Sequence, residues 1–395
     1  MAISPFVLDS NGIPYTTPGG NPLFKIHPMT YLAVLAFIAA AIAYGNPLAY
    51  LARCAATFPG TAYFLVILVI MILWTLLIQH QPLTSLVDTF VPAALLIFLI
   101  PELTPRQHRA LVIAIHLFMN ANAMLGMVEV ASGWRLTPLM LQGVSILWDW
   151  RASALLGHPL ENAMLSGAYL LMLLFGADRT VPAPLRVAII ALQMAGLVAF
   201  GGRTAMVLSF GLVFLRMLMT TAGIIAGKRF DARIAGLVVA ALPILIGVGL
   251  LAYDVGVFDR MIERFTNDGG SADTRISILR IFNSFPLYDL LMGPDPDVLV
   301  SKADIEGTTA GIESFIFGFF LQSGMIISLI FFCGLAAMTY DLWRIGSRTG
   351  LVSIVFFYTV AAGAASLSVK GQTLAQFAIL FSTIEAMPSL LDRGD

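Results

Sequence analysis

RVAIIALQMAGLVAFGGRTAMVLSFGLVFLRMLMTTAGII, residues 186–225, decides the class of this protein. Two strongly apolar stretches, 186–201 and 204–225, meet at Gly201, Gly202 and Arg203, and each is near the length a helix needs to cross a bilayer. The rest of the chain matches them. Of its 395 residues, 58% are hydrophobic and 11% charged, and the mean hydropathy is +0.88. A soluble domain of this length needs a wetter exterior. Long unbroken apolar runs exclude a β-barrel, whose strands alternate every second residue. The composition predicts an all-α polytopic membrane protein, a single integral domain over residues 1–395.

Working outward, further segments of crossing length fall at about 29–45, 62–80, 85–100, 108–128, 161–176, 235–253, 311–339, 351–367 and 372–388, which makes about 11 (10–12) transmembrane helices in all. The stretch 311–339 exceeds a straight crossing, so it is expected to tilt or to begin outside the bilayer. Arg106 and Arg109, Arg179 and Arg186, Lys228 with Arg229 and Arg233, and Arg344 and Arg348 mark alternate short loops. The positive-inside rule places all four clusters on one cytoplasmic side. Loops 129–160 and 254–310 then lie outside, and counting back puts the N-terminus outside as well. Residues 1–28 lack a signal-peptide pattern.

Residues 254–310 form the one sizeable hydrophilic insert, too short for a domain with a large core. Val257, Phe258, Met261, Ile262 and Phe265 recur at helical spacing and predict a short interfacial helix. A second helix is expected to start near Ser271 or Asp273 and stop before Pro286. The net charge of −1 points to no nucleic acid. Cys54 and Cys333 make no disulfide framework, and Cys333, inside an apolar run, reads as a small core residue.

The chemistry-bearing residues gather at the outer edge. Arg203 sits where one segment exits and the next re-enters, after two glycines that permit a tight turn. It is either a headgroup anchor or an anion site, since a guanidinium binds phosphate in bidentate fashion and stays charged. Arg275 and Arg280 lie on the second loop helix and, five positions apart, point about 140° away from each other. One can bind a ligand while the other pairs with an acid such as Asp273. RASALLGHPLENAML, residues 151–165, brings Arg151, His158, Glu161 and Asn162 to the outer surface at a helix start, where the dipole favours anions. Glu313 opens the apolar segment after the long loop, either as a helix-start acid or as a general base. Asp295 and Asp297 in GPDPDV form an acid-x-acid pattern that suits either a divalent metal or, with flanking prolines, an ordinary exposed turn. Lys370 reads as an interfacial anchor. The chain holds no Walker loop, GxSxG elbow, HExxH or paired CxxC.

GHPLENA before a membrane segment, GGRTAMVLSF at a membrane edge, then DTRISIL…PLYDLLMG and an ESFIFGFFLQSGM helix together resemble the O-antigen ligase and O-antigen polymerase superfamily of bacterial envelope enzymes, most closely its exopolysaccharide polymerases. The resemblance covers roughly residues 105–390. It implies a GT-C-like glycosyltransferase acting at the periplasmic face of the inner membrane on sugar chains carried by undecaprenyl pyrophosphate, with no metal and no cofactor. Arg203 matches the family's membrane-edge arginine and Arg275 that of the loop helix, both implied to hold the donor pyrophosphate. His158 matches a commonly found HP pair. The chain departs from the ligase pattern at Glu313, where ligases usually place a histidine. Implied partners are the lipid-linked donor and acceptor, membrane lipids, and a chain-length regulator and export machinery. The expected function is a polysaccharide polymerase with Glu313 and His158 catalytic and Arg203, Arg275 and Arg280 binding substrate. The alternatives are an O-antigen-type ligase and a flippase of lipid-linked sugars, although transporters usually show internal repeats and mid-membrane charges.

Overall fold

The structure, a computed structural model, describes residues 3–386 except 18, 142–143, 147–148, 179, 228–270, 308–311, 313 and 365–366. Proline marks many of the helix starts, where its fixed φ suits the first turn and its missing N–H leaves nothing unpaired. In this way begin α1 (Pro5–Ser10), α2 (Pro28–Ala43), α3 (Pro47–Thr57) and α4 (Pro59–Leu77), followed by α5 (Thr84–Leu99) and α6 (Pro105–Ser132). A short hairpin of β1 (Leu139–Leu141) and β2 (Val144–Ile146) precedes α7 (Pro159–Leu174), α8 (Ala183–Phe200) and α9 (Arg203–Ile225). After the undescribed stretch come α10 (Ser271–Asn283), α11 (Leu287–Met292) and α12 (Pro296–Ile305), then α13 (Phe315–Ser323), α14 (Met325–Ile345), α15 (Gly350–Ala362) and α16 (Thr373–Ile384).

Six of the described helices are long and apolar enough to cross a membrane, seven if the bent pair α2–α3 is one span. Helix α4 shows why. Phe64, Ile67, Leu68 and Met71 are buried while Val66, Val69, Ile70 and Leu73 on its other face are exposed, so it is apolar all round. Such a helix needs lipid, and the chain is an all-α multi-pass membrane protein. Helix α3 departs from the axis of α2 by 112° and pairs Arg53 with Glu102 at 3.0 Å.

Helices α4 and α14 run antiparallel and pack closely, because small residues let the backbones close up. A Cβ on Gly60 would lie 2.1 Å from the Ala337 carbonyl oxygen, and one on Gly334 would lie 2.9 Å from Ile67. Asp341, fully buried, caps the start of α4 by accepting from the Thr61 amide at 2.7 Å. An aromatic cluster of Phe64, Phe90, Phe319 and Phe331 joins α4, α5, α13 and α14, with ring centroids 4.8–6.0 Å apart. The central helix is α7, buried throughout from Asn162 to Leu173. The starts of α2, α5, α7, α9, α14 and α16 and the ends of α4, α6 and α8 meet at one end of the bundle, called here the Arg203 end.

Three expectations change. The stretch 311–339 is not one tilted span: Gly324, at φ +83, breaks it into α13 and α14. Cys333 is not a core residue but is exposed on α14, since an all-apolar sequence does not say which face meets lipid. The loop after α6 carries a β-hairpin that its sequence did not suggest. Helix α10 and its stop before Pro286 agree with expectation. The 235–253 segment, the helix expected over 257–265 and Glu313 lie outside the described residues.

Candidate functional site

The α8–α9 turn is shaped by two glycines with different tasks. Gly201 ends α8 at φ +64, a left-handed conformation that suits glycine, and lies beneath Arg151: a Cβ there would sit 2.9 Å from the arginine Cγ. Gly202 has an ordinary φ of −78 but faces α7, where a Cβ would approach that of Ala163 to 2.5 Å. The pair thus presses the start of α9 against the start of α7. Arg203 follows as the first residue of α9, half-buried. Its placement opposes the helix dipole, which favours anions rather than cations at an N-terminus. Neither α9 nor α7 has a side-chain cap on its first amides. The first amides of both helices point to one place beside the arginine, a geometry that suits an anion.

Arg151 stands over this turn and is itself paired. Its Nε donates to both Asp149 oxygens at 3.0 and 2.8 Å, and its Nη2 to Oδ2 at 2.5 Å. The loop that carries it is held from α6. Buried Glu129 accepts from the amides of Leu136 (3.1 Å), Ser153 (3.0 Å) and Ala154 (2.9 Å). Asn122 donates to Asn162 Oδ1 at 2.7 Å and accepts from the Leu155 amide at 3.0 Å. Asn162 in turn donates to the carbonyls of Ser153 and His158. The amide of GHPLENA is therefore a bracket for the loop, leaving its histidine and its acid as the groups available for chemistry.

His158 is the N-cap residue of α7, half-buried, and its Nδ1 is enclosed without a hydrogen-bond partner. Burial, reinforced by Arg151, holds its imidazole down to about 4, so it is neutral near pH 7. Glu161 follows in the first turn of α7, half-buried, with Thr373 and Tyr15 close by. Around it the Thr373 hydroxyl faces the Glu161 carboxylate, and the buried Tyr15 hydroxyl lies against Asp88 and Gln372. An acid, two hydroxyls and an amide are thus gathered into one polar corner at the end of an otherwise apolar bundle.

Lys370 completes this corner and corrects the expectation of a simple interfacial anchor. Its ammonium lies 3.4 Å from the Tyr15 ring centroid, donates to the Tyr15 carbonyl at 2.8 Å and approaches Asp88 to 4.0 Å. Burial lowers it to about 8, against the opposing pull of Asp88. The same Asp88 accepts from the His27 amide at 3.0 Å and the Thr30 hydroxyl at 2.8 Å. The N-terminal segment is thereby fastened over the Arg203 end. A lone aspartate in the apolar 85–100 segment was the signal in the sequence for this cluster.

Of the candidates from sequence, Arg203 and His158 come to one corner, joined by Arg151 and Glu161. Arg280 is exposed on α10 and pairs with Glu306 at 3.7 Å. Arg275 lies on the same helix, with its side chain outside the described residues, as is Glu313. Asp295 accepts from the amides of Asp297 and Val298 as the N-cap of α12, the ordinary role its prolines suggested. Comparison with family models, curated proteins and solved structures gives no match.

Proposed function

We propose that the chain is a polysaccharide polymerase, an inverting glycosyltransferase that joins undecaprenyl-pyrophosphate-linked oligosaccharide repeat units at the periplasmic face of a bacterial inner membrane. The observation that carries this reading is the corner itself. A half-buried arginine opens a helix against the dipole, beside a second uncapped helix start, at the end of an apolar bundle. That arrangement suits an anion attached to a lipid.

On this reading the departing group is the lipid pyrophosphate, which leaves without needing a proton. Arg203 and the first amides of α7 and α9 stabilise the charge that develops on it. Arg151, neutralised by Asp149, fixes the turn from above. The imidazole of His158, held near 4, is a weak proton acceptor. Glu161 is the base we assign: its carboxylate takes the proton of the acceptor hydroxyl as that oxygen attacks C1 of the donor sugar, with inversion. Arg275 is assigned to the donor pyrophosphate on the sequence resemblance alone, and Glu161 takes the place as base that the sequence offered to Glu313.

The test is reconstitution of the purified chain in liposomes with a lipid-pyrophosphate-linked oligosaccharide, resolving products by size. A ladder of added repeats is expected. Arg203→Lys should lose most of it, because a point charge does not replace the planar fork, and Glu161→Gln should slow it by roughly 10²–10⁴-fold. Donor consumed only with a foreign acceptor would identify a ligase, and intact donor that changes leaflet a flippase. Either result removes the polymerase reading.

A further inference from the structure

At the Arg203 end a second recess opens between the end of α4, the start of α5, the end of α13 and residues 367–368, with about 400 Å³ of space including its open mouth. Its polar side chains include Thr75, Gln79, Gln81, Ser85, Gln322 and Ser368, and none of its lining residues is charged. Two buried rings, Phe90 and Phe319, with centroids 6.0 Å apart, lie behind them. Thr75 is 6% exposed, and its hydroxyl has no partner.

We infer that this cleft is a binding subsite for a neutral sugar ring. Glutamine amides and serine or threonine hydroxyls present donors and acceptors side by side, as the hydroxyls of a sugar require. An anion would find no charge to hold it. A lipid tail would strip water from the amides and give nothing back. The buried rings of Phe90 and Phe319 form the floor on which this polar lining stands.

The cleft is also held in shape. His80, between Gln79 and Gln81, is a non-glycine residue at φ +52, a conformation retained where surrounding structure enforces it. Gln79 donates to the Gln322 carbonyl, tying the α4–α5 turn to α13. Gly293, just after α11, packs against Gln79 and Gly324, so the α10–α12 module abuts the cleft. The role of the subsite rests on the polymerase reading: it seats one ring of a repeat unit. Its ligand class rests on the lining alone.

Saturation-transfer difference NMR on the full chain in lipid nanodiscs tests the inference, with maltotriose, lactose, chitobiose and α-mannobiose as probes and inorganic phosphate as the anionic competitor. Transfer to ring protons of at least one sugar is expected, undisturbed by phosphate. Gln81→Leu should weaken binding by at least about fivefold, the loss of one neutral hydrogen bond. Ser85→Phe should abolish it by filling the cleft, and its melting temperature reports whether the variant folds. No transfer to any probe, displacement by phosphate, or unchanged binding in Gln81→Leu and folded Ser85→Phe overturns the inference. Sugar binding without a ladder in the liposome assay would keep the subsite and remove the polymerase; a ladder without sugar binding would do the reverse.

Discussion

Gly202→Ala isolates the contact on which the Arg203 corner depends. The backbone there has φ −78, so alanine meets no conformational penalty and the whole effect is steric. The new Cβ would lie 2.5 Å from the Ala163 Cβ, more than 1 Å inside ordinary van der Waals contact, while its next neighbour, Ala205 Cβ, is at a comfortable 3.6 Å. Helix α7 is surrounded by protein and cannot retreat, so the start of α9 must move and carry Arg203 with it. Overpacking of this kind costs about 1–3 kcal/mol. Ala163→Gly removes the one opposing atom and by itself costs about 1 kcal/mol of helix propensity. The double variant should therefore recover most of the loss, with a coupling of about 1–2 kcal/mol between the sites. Gly201→Ala is the control. It combines a left-handed φ with a clash at Arg151 Cγ, and Ala163→Gly should not rescue it. Thermal unfolding in detergent, followed by circular dichroism, reads all five variants, the Gly201→Ala/Ala163→Gly pair included, and the product ladder reads the displacement of Arg203. An unaltered melting temperature in Gly202→Ala, or an equal penalty for Ala163→Gly in both backgrounds, would refute this account of the turn.

Three further outcomes follow from the same geometry. Burial holds His27 to about 4 against an ordinary 6.5. Its Nδ1 accepts from the Met29 amide and its Nε2 faces the Ile3 carbonyl, which a neutral Nε2–H tautomer satisfies. The folded state binds this proton less readily than the unfolded one, so the stability is complete above about 6.5 and fades as pH falls toward 4. His27→Asn keeps a good cap and loses the titration, so its melting temperature should fall less than the parent's between those two pH values. Glu129→Gln, nearly isosteric, turns an NH₂ toward backbone N–H donors and should cost about 1–3 kcal/mol in the same thermal assay, loosening the Arg151 loop. At the opposite end Asp341→Ala strips the cap from α4 and should destabilise by a similar 1–3 kcal/mol without selective loss of sugar transfer; a loss of transfer at unchanged stability would place that end in the reaction.

The class of fold was legible because length and apolarity are local properties. Segments such as 62–80 and 204–225 fall within a few residues of α4 and α9, since a run that must cross lipid announces itself without tertiary context. What the sequence withheld depends on neighbours. Cys333 and its apolar flanks look alike whether they face protein or bilayer, so its exposure had no local signature. The break at Gly324 is hidden for a related reason: one glycine in an apolar run is compatible with a helix, and it is a φ of +83 against Gly293 that interrupts this one. The 112° turn between α2 and α3 likewise passes through one glycine, Gly45 at φ +84, ahead of Asn46, which caps α3.

The corner was half legible, and its two halves differ in kind. Arg203 stands out because a guanidinium at membrane depth is costly and therefore rare. Tyr15, Gln372 and Thr373 do not stand out, because hydroxyls and amides are common at helix ends and acquire meaning only from the neighbours that packing gives them. Lys370 was misread for want of its partners, Tyr15 and Asp88, which lie hundreds of positions earlier and meet it through the packing of α16 on α5. Charge identifies where a membrane protein departs from lipid chemistry, but the neutral groups determine what is received there. That division makes Glu161 informative. It is the acid of the corner that lies among neutral hydroxyls and amides rather than in a salt bridge, which is why the proposed reaction gives it the part of the base. Asp149, bound through both its oxygens to Arg151, is already spent on structure.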